Sequence, residues 1–292
     1  MASDDTAHAP ADLAIEVYTS PGRTFTTTAT PEGPGDDPTW SPSSATLIYG
    51  EHDAVLVDVP PTDVQVDALA DWIETKGRRL SRVYITHGHG DHWLGLARLA
   101  QRFPGVTGLA TAEVLTLVND PAFAGYWEAL FPGEVPTGAD KVVPQLLTGD
   151  TIDLEGNELR VIRIGQADTA HSTLLHIPSL AAVVTGDLAY NEVHMMTGEA
   201  GEAELAQWIA NLDEVAELNP AFVVAGHKKV DNGDDPKIIE ESQQYLRDFS
   251  RITAEESTAA AIVARMIEIY PDWGNLHTIW YSARVAIGRK HS

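Results

Sequence analysis

Apolar positions recur at every second residue in the first part of the chain. The short runs AIEVYTS, RTFTTTAT, SATLIYG and DAVLVDV are rich in β-branched and aromatic residues and bounded by Gly, Pro, Ser and Asp, so they predict strands. Between them PEGPGDDPTWSPS (Pro31–Ser43) is too long and polar for a tight hairpin and predicts a loop. In PTDVQVDALADWIETKG the period changes. Val66, Leu69, Ala70 and Ile73 share a helical face, Thr62 or Asp63 can cap it, and Gly77 ends it. SRVYIT (Ser81–Thr86) predicts a strand and WLGLARLAQRF a helix close behind it.

The same alternation continues. VVPQLLTGDTIDLEGNELRVIRIG carries strand signals around a turn at DLEGNEL, and STLLHIP, AAVVTGD and PAFVVAGH predict further strands. GEAELAQWIANLDEVAEL is an amphipathic helix. From Asp235 to Gly288 the pattern is mostly helical, with a break at Tyr270–Gly274. Asn119–Asp140 places four aromatics among Pro and Gly, and reads either as a helix packed on the core or as a lid over a pocket. Strand–loop–helix order predicts an α/β fold with its site at the carboxyl ends of strands. The expected organisation is a disordered acidic tail at 1–12, a catalytic domain at 13–234, and a helical extension at 235–292.

Composition narrows the chemistry. A chain of 292 residues buries roughly 75% of its unfolded surface. Its apolar runs fall far short of the ~20 residues that span a bilayer, and the polar N-terminus lacks the pattern of a secretory signal, so a cytoplasmic protein is expected. There is no cysteine, which excludes disulfides, thiolate nucleophiles and zinc–thiolate sites. Any metal must be held by nitrogen and oxygen. The formal charge of −24, from 43 acids against 19 bases, opposes phosphate backbones and discounts nucleic-acid partners. The acidity otherwise reads as a solubility or salt-tolerance trait.

Three of the 11 histidines and an aspartate crowd into THGHGDHWLG. On a loop after a strand, His87 and His89 can face one metal while Asp91 and His92 face a second; Gly88 and Gly90 would let the backbone fold tightly. Asp187 and His227 each end an apolar strand, and His171 sits just before one. Asp168 and Thr169 could orient His171, or form a simple turn. His194 is expected to face the pocket, whereas His52, His176 and His277 read as structural or surface residues.

With these residues in view, the chain resembles the metallo-β-lactamase fold superfamily. The matching positions are the H-x-H-x-D-H stretch at His87, His89, Asp91 and His92, then His171, Asp187 and His227 in order, over roughly Leu13 to His227. The resemblance implies a four-layer αββα sandwich with a helical C-terminal extension. It also implies two divalent metal ions, zinc foremost, with iron or manganese also suited. His87, His89 and His171 would hold one, Asp91, His92 and His227 the other, and Asp187 would bridge them. The residue after Asp91 is a histidine, and β-lactamases with that pattern generally lack the bridging aspartate, so antibiotic hydrolysis is disfavoured. His89 argues against the flavin-partnered di-iron reductases, which carry a Glu there.

HGHGDHWLG fits a form shared by acyl-homoserine lactonases, thioesterases of the glyoxalase II type and tRNA-processing nucleases. In the lactonases a Tyr three residues beyond the bridging Asp helps hold the substrate carbonyl, and Tyr190 matches it. The loop GQADTAHS departs from their shorter TPGH-like form, which leaves the substrate open. The resemblance implies a hydrolase in which a metal-bridging hydroxide opens a small ester or lactone. Tyr190 would donate to the developing oxyanion, and Asp91 would shuttle a proton to the leaving group. The alternatives are a thioesterase, a phosphodiesterase or nuclease, and a mononuclear iron persulfide dioxygenase. Neither a nucleic-acid nor a membrane partner is expected. The helical tail can pack on its own domain or on a second copy, and a homodimer is the expectation.

Overall fold

The computed structural model describes residues 11–25 and 38–290. Residues 1–10 of the acidic tail and most of the Pro31–Ser43 loop lie outside the described residues. Ala11, at the tail's end, is tied down: its N–H donates to the Glu155 carbonyl, and its carbonyl accepts from Asn157.

In chain order the first half comprises β1 (Ala14–Ser20), β2 (Arg23–Thr24), β3 (Thr39–Trp40), β4 (Ser43–Tyr49), β5 (Asp53–Val57), α1 (Asp63–Glu74), β6 (Arg79–Tyr84), α2 (Leu96–Arg102), β7 (Thr107–Ala110), α3 (Ala112–Val118), α4 (Pro121–Leu130) and β8 (Gln145–Leu146). There follow β9 (Thr151–Leu154), β10 (Asn157–Gly165), β11 (Ser172–Ile177), β12 (Ala182–Val184), β13 (Tyr190–Asn191), α5 (Glu202–Glu217), β14 (Phe222–Val224), β15 (His227–Lys228), α6 (Lys237–Glu255), α7 (Ala259–Ile269) and α8 (Leu276–Lys290). One sheet runs β13-β15-β4-β5-β6-β7-β8, with β1 antiparallel on β4. A second runs β14-β12-β11-β10-β9, and β2 and β3 form a separate ribbon.

The strands' period of two divides the apolar residues into layers. In β5, Ala54 and Leu56 face α1 to α4, while Val55 and Val57 face the other sheet. In the second sheet Leu175, Val184 and Val224 point back at them, and Leu174, Val183 and Val223 face α5 to α8. Each fully buried Leu, Ile or Val stabilises this arrangement by about 1.5–3 kcal/mol. The result is the expected four-layer αββα sandwich. The C-terminal helices belong to it, because Tyr245, Phe249, Met266 and Ile279 share a core with the second sheet. The tail's apolar face is therefore packed on its own sheet.

Local chemistry sets the ends of elements. Glu155 and Gly156 both have positive φ, the two-residue turn that joins β9 to β10 without splaying them. Gly77, at φ 63°, ends the chain's turn out of α1. The helical tail has a break beyond the expected one: Thr258 caps α7, its hydroxyl accepting from Ala261 N–H, so the helix stops at Glu255 and restarts. Among the described residues no helix is long and apolar enough to cross a membrane.

Candidate metal centre

Five strand ends converge at one edge of the two sheets. β6 leads into His87, His89, Asp91 and His92, and β10 into the loop that holds Asp168. β12 leads into Asp187, β14 into His227, and β5 into Asp58. The ligand-type atoms of His87, His89, Asp168 and Asp187 lie within 4.8 Å of one another, as do those of Asp91, His92 and His227. Asp187 stands between the groups: Oδ1 is 3.3 Å from His92 Nε2, and Oδ2 is 3.2 Å from His227 Nε2 and 4.0 Å from His87 Nε2.

One expected residue is not there. His171 is exposed, with φ 65°, and lies outside both groups. Its place is taken by Asp168, which is fully buried, with Oδ2 2.8 Å from His89 Nδ1 and 3.7 Å from His87 Nε2. The cause is a tight turn. Thr169 N–H donates to Asp168 Oδ1, Ala167 N–H to the Thr169 carbonyl, and Ser172 Oγ to that same carbonyl. The turn lifts Asp168 inward and swings His171 out to solvent. Asp168, and not His171, therefore lies within reach of the other donor side chains of this group.

Each imidazole is fixed from behind. His92 Nδ1 is 2.9 Å from Asp58 Oδ2, and the same carboxylate takes the Thr86 N–H at 2.8 Å and its hydroxyl at 2.7 Å. His227 Nδ1 donates to the Pro42 carbonyl at 2.9 Å, and His87 Nδ1 lies 3.0 Å from Thr86 Oγ1. These partners leave Nε2 of all three rings facing inward. Asp58 escaped the sequence reading; its one signal is an acid at the end of the apolar strand DAVLVDV. Trp40 also went unread. Its indole N–H donates to Asp91 Oδ2 at 2.7 Å.

The two cluster glycines act through space rather than through backbone freedom. Neither has a positive φ, but a Cβ at Gly88 would run into Leu117, and one at Gly90 into the Trp127 indole. The aromatic insert is packed on the core, as its first reading expects, and it also contributes to a cavity wall. Trp127, Leu130 and Phe131 are buried in the helix–sheet core, while Tyr126 and Trp127 also line a cavity of about 250 Å³ over the cluster. Trp40, Met196, Asn275, Thr278 and Tyr281 complete its walls, and Tyr190 lies at its floor with its hydroxyl donating to Asp187 Oδ2 at 2.7 Å. His194 does not face this cavity; it is buried behind it against Tyr245. His52 is exposed, His176 half-buried on β11, and His277 packs edge-on against Phe25.

Burial and proximity perturb the histidines and aspartates of the two donor groups. Burial and the neighbouring His92 hold His87 well below the usual imidazole range. In His89 burial is outweighed by Asp168 and Glu199, which hold it well above. His92 is raised to about 9, burial being outweighed by Asp187, Asp91 and Asp58, and His227 is raised likewise by Asp187 and Asp91. Burial pushes Asp168 up to about 7, against the pull of His89. Burial also opposes ionisation of Asp187 and Asp91, but the imidazoles beside them prevail and hold both carboxyls below their ordinary range. Imidazoles and carboxylates thus face one another at close range here, an arrangement that divalent cations can occupy in exchange for protons. The donor set fits: His87 Nε2, His92 Nε2 and Asp187 Oδ1 are buried, face the cluster and have no hydrogen-bond partner. Nitrogen and carboxylate donors suit zinc, manganese or iron.

A sheet-on-sheet sandwich with a histidine–aspartate cluster at its edge defines a metal-dependent hydrolase class. The chain belongs to the metallo-beta-lactamase superfamily, whose family model matches residues 38–227. It is 22% identical to a metallo-beta-lactamase type 2 of Bacteroides fragilis over 251 residues, 84% of this chain and 89% of that protein. It is 29% identical to a hydroxyacylglutathione hydrolase of Acidiphilium cryptum (strain JF-5) over 178 residues, 61% of each. Among solved structures it resembles a metallo-beta-lactamase from Pontibacter korlensis (TM-score 0.58, 19% identity, 81% of this chain and 99% of that one). It also resembles the metallo-beta-lactamase FIM-1 from Pseudomonas aeruginosa in its mono-zinc form (TM-score 0.54, 17% identity, 82% and 92%). The matched segment ends at His227, so α6 to α8 lie beyond it.

Proposed function

We propose that the protein is a dinuclear metallohydrolase that opens a small, uncharged ester or lactone. The observation that carries this is the pair of donor groups joined by Asp187, each with buried nitrogen or oxygen atoms aimed inward. One cation would be held by His87, His89 and Asp168, the other by Asp91, His92 and His227, with Asp187 between them. When bound, such ions acidify water toward neutral pH and polarise a carbonyl.

The chain's own groups do the rest. Trp40 fixes the carboxylate of Asp91, which is placed to pass a proton to the leaving alkoxide. The Tyr190 hydroxyl stands at the cavity floor, where it can turn from Asp187 toward an oxyanion that forms during attack. The apolar rings of Trp40, Trp127, Tyr126 and Tyr281 shield the reacting carbonyl from bulk water.

Charge argues for an uncharged substrate. Among the described residues lining the cavity there is no Lys or Arg, while Asp91, Asp168, Asp187 and Glu199 are all there. Replacing a neutral imidazole by Asp168 adds one negative charge to the ligand set. The whole chain, at −24, adds a field that repels anions. Carboxylates and phosphodiesters would meet no counter-charge besides the metals themselves.

A thioesterase is the second reading, favoured by the similarity to a hydroxyacylglutathione hydrolase. The deciding experiment uses protein of measured metal content. Rates are compared on a neutral lactone, a neutral oxoester, its thioester counterpart and bis(p-nitrophenyl) phosphate. Lactone or oxoester turnover should lead by tenfold or more, an order-of-magnitude expectation from one unfavourable contact. Faster turnover of the phosphodiester would sink the reading, and a thioester in the lead would replace it with the second.

A further inference from the structure

His89 is held differently from its neighbours. His87, His92 and His227 turn Nε2 inward and are anchored through Nδ1 by groups at the strand ends of the first sheet. His89 turns Nδ1 inward, toward Asp168 at 2.8 Å, so its Nε2 must be anchored from the cavity side. The anchor is Glu199, whose Oε1 lies 2.9 Å from Nε2, 110 residues away in sequence. Burial works against the Glu199 carboxylate, but His89, Thr169 and Arg289 outweigh it and hold its pKa below the ordinary range.

Glu199 sits in the segment Thr197–Ala200, which has no regular structure and is gripped by one helix. Arg289 of α8 donates to the carbonyls of Gly198 and of Ala200, the latter at 2.7 Å. Ser282 Oγ accepts the Thr197 N–H at 3.1 Å. The Tyr281 ring lies so close over Gly198 that a Cβ there would run into it. Ser282 and Arg289 are seven residues apart and so share a helix face. Three α8 side chains therefore fix the four residues that flank and include Glu199. The backbone on either side of the carboxylate is bonded to a helix beyond the segment that matches the family model.

We propose that Glu199 is the positioning residue of His89 and that α8 holds Glu199 in place, making the C-terminal helix part of the metal-binding apparatus. Accepting the Nε2–H fixes the tautomer in which Nδ1 carries the lone pair, and fixes the plane of the ring. Without it the ring loses the partner that selects this tautomer, and a cation at the His87–His89–Asp168 group would meet a less well directed donor. Outer partners of this kind are worth about 10–100-fold in metal affinity. The inference rests on the metal-site reading above.

The test is chelator competition with zinc on the full chain, reading the two ions separately, with thermal unfolding of each metal-free variant as a control for folding. The parent should bind two ions. Glu199→Ala should weaken one of them by about 10–100-fold and leave the other at parental affinity. Glu199→Gln, whose amide oxygen can accept the same hydrogen bond, should recover most of the loss. Arg289→Met should weaken the same ion by a smaller factor, because Tyr281 and Ser282 still hold the segment. If Glu199→Ala does not fold, Arg289→Met carries the test, and an unchanged pair of affinities there overturns the proposal. Parental affinity at both sites in Glu199→Ala also overturns it, and a raised KM alongside would make Glu199 a plain substrate contact. Equal weakening of both ions, or no recovery in Glu199→Gln, overturns it too. A parent that binds no metal fails the metal-site reading itself, a separate result.

Discussion

The carboxylate of Asp168 meets His89 Nδ1 at 2.8 Å, while His171, three residues further on, is turned to solvent. The side chain this loop sends into the His87–His89 group is thus a carboxylate where the family resemblance leads one to expect an imidazole. Under the proposed ligand set its charge would bring the carboxylates to three with Asp91 and Asp187, against the two of the expected set, and a pair of cations held there would attract anions less strongly.

This relationship gives a direct prediction. Asp168→Ala should lose at least the ~10–100-fold in metal affinity that follows loss of even an outer partner, and bind one ion instead of two at micromolar metal. His171→Ala should keep both ions and parental turnover. Metal analysis after desalting, with initial rates on the best substrate of the screen, reads both. The reverse pattern, with His171→Ala losing metal, would show that the turn refolds around the ion.

How much of this was legible in the sequence follows from what each signal encodes. The continuous apolar runs in DAVLVDV and AAVVTGD reflect burial on both sheet faces, and they placed these strands correctly. The strand ends then placed His87, His89, Asp91, His92, Asp187 and His227 together, because α/β topology gathers carboxyl ends at one edge. GQADTAHS failed for a local reason. A turn of six residues presents one side chain inward, and its hydrogen bonds, not its composition, choose which; Asp168 and His171 are both acceptable metal donors. Asp58 and Glu199 were hidden because they act through other side chains across 34 and 110 residues. No periodicity carries that information. The end of α6 at Glu255 was missed because Thr258 is a modest cap signal inside an otherwise continuous helical pattern.

Tyr190 gives the next prediction. Its ring is fully buried, lies nearly parallel to His227 with centroids 5.5 Å apart, and its hydroxyl donates to Asp187 Oδ2. Burial foremost, together with the charge of Asp187, holds its pKa well above the ordinary phenol range, so it remains a donor throughout the working range. Tyr190→Phe keeps the ring's packing and removes only the O–H. It should lower kcat by about tenfold to a thousandfold, the worth of one oxyanion donor or less, with both ions retained. A drop in metal content in place of a drop in kcat would assign the hydroxyl to holding Asp187 alone. Unchanged kinetics would take Tyr190 out of the chemistry.

The last prediction concerns stability and lies away from the metal centre. His194 is buried against Tyr245 and Trp273, with Nδ1 3.1 Å from the Tyr245 hydroxyl and Nε2 without a hydrogen-bond partner. Burial lowers its pKa to about 4 from an ordinary value of 6.5. The folded chain therefore keeps this ring neutral while the unfolded chain protonates it. Stability from His194 is complete above pH 6.5, declines as the pH falls, and reaches its floor near pH 4, because the unfolded state binds the extra proton throughout that window. At pH 5 the loss is roughly 2 kcal/mol. His194→Gln, which cannot take up that proton, should lose about that much less than the parent between pH 7 and pH 5. Urea unfolding of both metal-free proteins at the two pH values measures it. Parallel losses in parent and variant would mean that the ring protonates in the folded state as readily as in the unfolded one, and that the packing against Tyr245 and Trp273 admits the charge.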